Sequence, residues 1–168
     1  MKNCILFIAI IFSSFFINAN AQKPSVLQKA DLAMLCGSWK GSLTYLDYQS
    51  GKPYTMPANA NISAIPQTNH LLVEMVYPNE PKANGKDTIL VNAGFTSFDG
   101  NTIVSRKILA DGSVEIITKH NGQDGNDNKD AIIRKTYTIG KNRFINRKDV
   151  QFVGTTEWIK RNEYSYTK

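Results

Sequence analysis

Four pairs of adjacent basic residues form the clearest chemical pattern in the chain. Each pair lies in a different stretch that we predict to be a β-strand: Arg106-Lys107, Arg134-Lys135, Arg147-Lys148 and Lys160-Arg161. Neighbouring residues of a strand point to opposite faces of a sheet. One member of each pair should therefore face the interior, where several cations could bind the anionic group of a ligand. Alternatively, the pairs lie near a rim and both side chains reach water.

A cation that faces the interior needs a partner, because an unpaired buried charge is costly. A carboxylate, a tyrosine hydroxyl or a ligand carboxylate would serve. The sequence has seven tyrosines, whose rings can line a pocket while their hydroxyls bind a polar group. The candidate ligand-binding residues are Tyr45, Glu74, Arg106, Lys135, Tyr137 and Arg147, and the inward member of each basic pair stays open at this stage.

Residues suited to metal binding or nucleophilic catalysis are few. After residue 21 the chain has two histidines, His70 and His120, and one cysteine, Cys36, which we interpret as a small core residue. We therefore expect no metal site, no cofactor and no catalytic residue, with haem ligation by one histidine as the alternative. Residues 124–130 have oxygen-bearing side chains like those of a calcium loop, but Lys129 stands where an EF-hand has glycine, which favours a polar turn.

The first 21 residues are typical of a secretory signal. Lys2 precedes an apolar run over residues 4–17, and Ala19-Asn20-Ala21 is a small-x-small cleavage site. The apolar run is too short to span a bilayer, which needs about 20 residues. Gln22 follows the site where a lipoprotein would have cysteine. We expect cleavage after Ala21 and a periplasmic or secreted protein without stable membrane insertion.

The length of 168 residues predicts one folded domain, which we divide into a helical segment over residues 22–36 and a barrel over residues 37–168. Six basic and six acidic residues fall in residues 22–105, whereas residues 106–168 hold thirteen basic and eight acidic residues. Nucleic-acid binding would need a dense basic stripe with stacking aromatics. Because carboxylates are interspersed throughout, we expect no nucleic-acid partner.

Residues 25–35 carry apolar side chains at helical spacing, with Ser25 as a candidate N-cap and Gly37 as a stop. After them the hydrophobic period changes to two, which predicts strands. The predicted strands are residues 39–48, 57–65, 70–77, 88–95, 102–109, 114–120, 131–139, 143–153 and 157–166, with long loops at residues 78–87 and 121–130.

Two tight turns join predicted strands as hairpins, Phe98-Asp99-Gly100-Asn101 and Ala110-Asp111-Gly112-Ser113. An open sheet of so many short antiparallel strands would expose two long edges. The sequence therefore predicts an all-β fold, an antiparallel up-and-down meander that closes into a barrel of about eight to ten strands after a short N-terminal helix. Such a barrel is filled by side chains or holds one small ligand.

The segment Gly37-Ser38-Trp39 resembles the Gly-x-Trp signature of lipocalins and other calycins, and the chain resembles small exported bacterial lipocalin-like barrels. The resemblance implies that Trp39 closes the bottom of the barrel after Gly37 and that Arg161, on the last strand, packs across it. The turn at residues 98–101 is the nearest candidate for the second signature of the family.

These observations favour a noncatalytic exported barrel that binds a small apolar or amphipathic molecule, with an anionic ligand as one option. The first alternative is a packed barrel that contacts a protein or a glycan through the loops at residues 78–87 and 121–130. A barrel isomerase or hydrolase that uses Glu74 with a histidine is a further alternative. The volume of the interior separates the first two, because only a binding protein needs a pocket of a few hundred cubic ångströms.

Overall fold

The computed structural model describes residues 25–47 and 49–168. In this part of the chain, one α-helix precedes eleven antiparallel strands. The elements are α1 (Lys29–Leu35), β1 (Gly37–Leu46), β2 (Pro53–Pro57), β3 (Asn59–Ala64), β4 (Leu71–Val76), β5 (Gly85–Ile89), β6 (Ser97–Phe98), β7 (Asn101–Ile108), β8 (Val114–Asp124), β9 (Lys129–Ile139), β10 (Arg143–Phe152) and β11 (Ile159–Thr167). The predicted all-β meander barrel with a short N-terminal helix is confirmed. The predicted signal, residues 1–21, lies outside the described residues.

The strands form one sheet in the order β5-β4-β3-β1-β11-β10-β9-β8-β7-β6, so the first and last strands are neighbours. The start of β1 pairs with β3, and the rest of it pairs with β2. The two ends of the sheet approach each other where Val91 pairs with Phe98. The amide of Gly100 also donates to the carbonyl of Leu90 at 3.1 Å. These contacts nearly close the sheet into a barrel.

Helix α1 plugs one end of this barrel. Leu32 and Leu35 belong to the same buried cluster as Trp39, which is 1% exposed at the start of β1. The indole Nε1 of Trp39 donates to the carbonyl oxygen of Leu35 at 2.7 Å, which ties the strand to the end of the helix. The ring of Phe144, on β10, lies 5.9 Å from the Trp39 ring. We call this the plugged end of the barrel.

The helix begins at Lys29, later than the prediction of residues 25–35 with Ser25 as its N-cap. Gln28 occupies the N-cap position, and its backbone amide donates a hydrogen bond to the carboxylate of Asp31 at 2.8 Å. A carboxylate three residues inside the helix satisfies an otherwise free amide at its start. Asp31 therefore sets the first residue of the helix. No helix among the described residues is long and apolar enough to cross a membrane.

Four predicted segments differ from the structure. Residues 53–57 form a separate strand, β2, ahead of the predicted strand at residues 57–65, and residues 85–87 of the predicted loop belong to β5. The predicted strand over residues 88–95 ends at Ile89, because the Asn92 side chain accepts hydrogen bonds from the amides of Thr96 and Ser97 and organises a loop. Most of the predicted loop at residues 121–130 continues the hairpin of β8 and β9 around a short turn.

Candidate functional site

The barrel contains two adjoining chambers. The inner chamber has a volume of about 230 Å³, and its wall is mainly apolar: Ala60, Ile62, Val73, Met75, Ile89, Tyr137, Phe144 and Tyr166, with Asp87, Asp99, Lys135, Asn146 and Tyr164. The outer chamber has a volume of about 340 Å³ and a polar wall: Asn101, His120, Ile133, Lys135, Asn146, Lys148, Asn162 and Tyr164. Lys135, Asn146 and Tyr164 line both chambers, so the apolar chamber adjoins the polar one.

Strand register explains this gradient. On β10, Phe144, Asn146 and Lys148 alternate along one face, and they pair across to Tyr166, Tyr164 and Asn162 of β11. Phe144 is the member of this row that contacts Trp39 at the plugged end. With increasing distance from the plugged end, the inward side chain of β10 is therefore first aromatic, then an amide and then an ammonium group. The outer chamber lies at the end of the barrel opposite α1.

Asp99 connects the polar groups at the junction of the chambers. Its Oδ2 accepts hydrogen bonds from Nζ of Lys135 at 2.5 Å and from the hydroxyl of Tyr137 at 3.0 Å. Asp99 and Gly100 both have positive φ, 53° and 72°, in the tight turn between β6 and β7. Burial, together with the negative charge of Asp99, raises the pKa of Tyr137 well above its ordinary value. The Tyr137 hydroxyl is therefore a neutral donor.

Tyrosines also form the β11 side of the cavity. The rings of Tyr164 and Tyr166 stack at 5.8 Å, and the hydroxyl of Tyr164 hydrogen-bonds that of Tyr77 at 3.0 Å. Burial raises the pKa of Tyr164 and of Tyr166, so both hydroxyls stay protonated. The Tyr166 hydroxyl lies 3.8 Å from the sulfur of Met75 on the opposite wall. This wall offers apolar rings with neutral polar tips.

His120 faces the outer chamber from β8. Its Nδ1 is buried and has no hydrogen-bond partner in the described ranges. Burial lowers the pKa of His120, and the charges of Lys135 and Lys148 lower it further, while Asp99 opposes them. The imidazole is therefore neutral near pH 7, and it presents unused hydrogen-bonding capacity beside two ammonium groups.

Asp124 balances the second lysine of the outer chamber. Its carboxylate accepts hydrogen bonds from Nζ of Lys148 at 2.6 Å and from Nε of Arg161 at 2.5 Å. Burial disfavours the charged form of Asp124, but the hydrogen bonds from Lys148 and Arg161 outweigh burial and lower its pKa. Asp124 is therefore ionised and holds both cations in place.

The members of all four basic pairs bind acidic residues of the protein itself, and the two members of each pair bind different partners. One member of each pair binds Asp31, Asp99 or Asp124: Arg106 with Asp31, Lys135 with Asp99, Lys148 with Asp124, and Arg161 with Asp124. Their neighbours pair on the outer surface: Lys107 with Glu115, Arg134 and Arg147 with Asp149, and Lys160 with Glu163. Alternation therefore separates the two members, but the four cations do not converge on one point.

Of the candidate ligand-binding residues, Lys135 and Tyr137 line the cavity. Glu74 is on the outer face with Lys86, 2.5 Å away, because its neighbour Met75 faces the cavity. Arg147 is also on the outer face, because Lys148 takes the inward position.

The other two candidates make their contacts elsewhere in the protein. Arg106 faces the plugged end, where its Nε and Nη2 donate to both carboxylate oxygens of the buried Asp31 at 2.8 Å. Tyr45 packs its ring against that of Tyr54 at 5.5 Å, on the hairpin of β1 and β2. Neither side chain is part of the chamber walls.

Trp39 lies at the plugged end, as expected, but the cation that covers it is Lys168. Nζ of Lys168 is 4.4 Å from the centre of the Trp39 ring and donates to the carbonyls of Met34 and Cys36 at 3.2 and 2.9 Å. Arg161 lies on β11, seven residues before Lys168, which corresponds to about 23 Å at the rise of a β-strand. Gly37, with φ 129°, starts β1 beneath Lys168, where a Cβ atom would press on the lysine side chain.

The two histidines lie in different places. His70 precedes β4 and its Nδ1 accepts a hydrogen bond from the amide of Val91 at 3.1 Å, whereas His120 faces the outer chamber. Cys36 is partly buried, and its Sγ lies 3.5 Å from the carbonyl of Leu32. Over residues 25–47 and 49–168, no group of three or more His, Cys, Asp or Glu residues has the arrangement to hold a metal ion.

Comparisons with known proteins add little to these observations. No protein-family model matches the chain. No curated protein matches it either. Among solved structures, Rv2717c of M. tuberculosis is 11% identical with a TM-score of 0.49, over 86% of this chain and 99% of that one. A protein of unknown function from the DUF3598 family of Nostoc punctiforme PCC 73102 is 12% identical with a TM-score of 0.36, and the match spans 88% of this chain but only 53% of that protein.

Proposed function

We propose that this protein is a noncatalytic binding protein that holds one small amphipathic molecule inside its barrel. The observation that carries the proposal is the pair of adjoining chambers, in which an apolar chamber of about 230 Å³ meets a polar chamber of about 340 Å³ at Lys135, Asn146 and Tyr164. Ligand pockets usually measure about 300–1,000 Å³ and combine apolar walls with a few convergent polar groups. The combination suits a ligand with one apolar end and one polar end.

The inner chamber suits the apolar end of the ligand. Ile62, Val73, Met75 and Ile89 supply aliphatic surface from β3, β4 and β5, opposite the ring of Phe144. Removing apolar surface from water contributes about 25 cal/mol per Å². The plug formed by α1 lies beyond Phe144, so the apolar end should enter first and point toward Trp39.

The outer chamber suits a hydrogen-bond acceptor at the other end. Lys135 and Lys148 each use one donor on an aspartate, and an ammonium group has three donors. Asp99 and Asp124 already balance much of the positive charge, so a carboxylate on the ligand would have to share Lys135 with Asp99. We therefore infer a small carboxylate or a similarly compact acceptor as the polar end.

We also propose that the protein acts outside the cytoplasm after cleavage at residue 21, and that its lipocalin-like resemblance reflects a related barrel. The burial of Trp39 at a helix-plugged end, with the Lys168 cation over its ring, supports this kinship. The signal-like residues 1–21 support export. N-terminal sequencing of the exported protein should begin at Gln22, and retention of Met1 would contradict export by cleavage.

The binding proposal can be tested with octanoate and its uncharged analogue octanamide. In protein labelled with ¹³C-methyl methionine, octanoate should shift the methyl resonance of Met75, which lines the inner chamber, and leave that of Met56 on β2 unchanged. Lys135→Gln should weaken octanoate binding roughly ten- to a hundredfold, because hydrogen bonds to charged groups contribute about 1.5–3 kcal/mol. Binding of octanamide should change little.

Lys107→Gln is the matched control, because it removes one lysine charge from the outer surface, where Lys107 pairs with Glu115. Equal losses in Lys135→Gln and Lys107→Gln would contradict a cavity site. If no amphiphile moves the Met75 resonance, the binding proposal fails, and a packed barrel that contacts a protein or a glycan through its loops becomes the better explanation. Turnover of any added substrate analogue would contradict the noncatalytic assignment.

A further inference from the structure

A row of charged residues crosses the outer face of four adjacent strands, on the side of the sheet opposite the cavity. Lys119 of β8 pairs in register with Arg134 of β9, Arg134 with Asp149 of β10, and Asp149 with Lys160 of β11. Arg147 lies beside this row on β10. We call Lys119, Arg134, Arg147, Lys160 and the neighbouring Trp158 the outer basic face.

The two arginines of this face are fixed in position. Asp149 is almost fully buried. Its carboxylate accepts hydrogen bonds from Nη2 of Arg134 at 3.2 Å and from Nε of Arg147 at 2.8 Å. One carboxylate therefore holds two guanidinium groups side by side and leaves a net positive charge. Nε of Arg134 is buried and has no hydrogen-bond partner among the residues described.

An aromatic ring lies within the same cluster. The guanidinium carbon of Arg134 is 4.1 Å from the centre of the Trp158 ring, and Nζ of Lys119 is 5.8 Å from it. Both distances are typical of a cation against an aromatic face. The indole thus holds Arg134 from one side while Asp149 holds it from the other. A ligand that binds here would meet cations whose conformational freedom has already been reduced.

We propose that the outer basic face binds an acidic polysaccharide, a chain of sugar units that carry carboxylate or sulfate groups. Guanidinium groups match the planar, two-oxygen geometry of these anions. Adjacent strands are about 4.8 Å apart, so Lys119 and Arg134, which pair in register, lie at a spacing close to the length of one sugar unit in an extended chain. Trp158 adds an apolar surface for the C–H groups of a sugar ring, which a site for a simple inorganic anion would not need.

This proposal is independent of the cavity, because the outer basic face lies on the other side of the sheet. The test measures binding of polygalacturonate and of heparin oligosaccharides to the folded protein, with neutral dextran, duplex DNA and polyglutamate as comparison ligands. Both acidic glycans should bind in a saturable and salt-dependent manner. Dextran should not bind, and DNA and polyglutamate should bind more weakly.

Three variants probe the face with different chemistry. Lys119→Gln removes an exposed cation. Arg134→Lys keeps the positive charge but loses the planar guanidinium group. Trp158→Leu keeps all charges but removes the aromatic ring. Each should weaken glycan binding about two- to fivefold, the effect of losing one exposed cation–aromatic contact. Lys86→Gln is the matched control, because Lys86 is an exposed cation paired with Glu74 on another part of the barrel.

Selective loss in the three variants, with Lys86→Gln unchanged, supports the proposal. An equal loss in Lys86→Gln would show that binding follows the overall charge, which overturns it. Binding of duplex DNA or polyglutamate as tightly as the acidic glycans would also overturn it, as would the absence of glycan binding. Thermal unfolding identifies any variant that fails to fold. Lys119→Gln still tests the proposal in that case, because the exposed Lys119 side chain can be replaced without disturbing the fold.

Discussion

Lys135 and Asp99 are 36 positions apart in the sequence, and Nζ of Lys135 lies 2.5 Å from Oδ2 of Asp99 at the junction of the two interior chambers. The pair links β9 to the tight turn after β6, close to the place where the sheet closes through Val91 and Phe98. Tyr137 donates to the same carboxylate oxygen. This one aspartate therefore contributes both to barrel closure and to the polar part of the cavity.

We predict that Asp99→Asn lowers the free energy of unfolding by about 1–3 kcal/mol, because it leaves the partly buried Lys135 ammonium without its charged partner. Asparagine accepts the positive φ of this position nearly as well as aspartate does, so the turn should persist. Urea unfolding measures the change. Asp47→Asn is the control, since Asp47 makes its hydrogen bonds to Ser50 within an exposed turn. Equal effects of the two substitutions would contradict the role of Asp99.

Alternation along strands was sufficient to place part of the cavity from the sequence. Lys135 and Tyr137 are two residues apart, so they had to share a face, and both line the inner chamber. Alternation alone does not determine which face of a strand points to the interior. Met75 and Lys148 take the inward positions beside Glu74 and Arg147, and choosing them requires the register of neighbouring strands.

Long-range pairing determined the remaining features, and a local pattern does not encode it. A register shift between Ile103 and Ser105 places Arg106 on the face that points toward the plugged end. Asp31 meets Arg106 there only in the folded protein, because the two residues are far apart in the sequence. The turn signal at residues 98–101 predicts a hairpin, but it carries no information on the pairing of Asp99 with Lys135. Lys168 could not be paired with Trp39 before the neighbours of β1 were known.

Arg106 and Lys107 allow a direct comparison of a buried ion pair with an exposed one. We predict that Arg106→Gln costs about 3–5 kcal/mol of unfolding free energy, because the side chain of Asp31, 2% exposed, would keep a buried charge without its bidentate partner. Lys107→Gln should cost at most about 1 kcal/mol, because its pair with Glu115 is largely exposed to solvent.

Chemical denaturation of both variants measures this difference. The double replacement Asp31→Leu with Arg106→Met should recover much of the lost stability, since it removes both charges together. If Arg106→Gln and Lys107→Gln shift the denaturation midpoint equally, the pair at the plugged end is not a stabilising contact.

Trp39 should be a major contributor to stability at the plugged end. We predict that Trp39→Ala costs about 3–5 kcal/mol, because it leaves a cavity under α1 and removes the hydrogen bond to Leu35. Lys168→Met should cost about 0.5–1 kcal/mol, the contribution of a cation over an aromatic ring at an accessible site. In a Trp158→Phe background, in which fluorescence reports on Trp39, Arg161→Met should leave the emission unchanged. If Arg161→Met perturbs Trp39 more than Lys168→Met does, our assignment of Lys168 is wrong.

His120 gives the protein a pH dependence with a definite sign. Burial and the charges of Lys135 and Lys148 lower the pKa of His120 in the folded state below the ordinary value of 6.5. As pH falls below 6.5, the unfolded chain takes up a proton at this position before the folded chain does, so this histidine makes the folded state less stable. Its contribution is constant above that range. We therefore predict that His120→Asn reduces the loss of stability between pH 7 and pH 5.

An anion in the outer chamber should reverse part of this effect. A carboxylate beside Lys135 and Lys148 would offset their positive charge and favour protonation of His120, so octanoate should raise the pKa that is read from the His120 ring proton by NMR. By reciprocity, octanoate should bind more tightly as pH falls through the pKa of His120, as long as the ligand itself stays ionised. Octanamide should cause neither change. A His120 resonance that titrates identically with and without octanoate would place the polar end of the ligand away from the outer chamber.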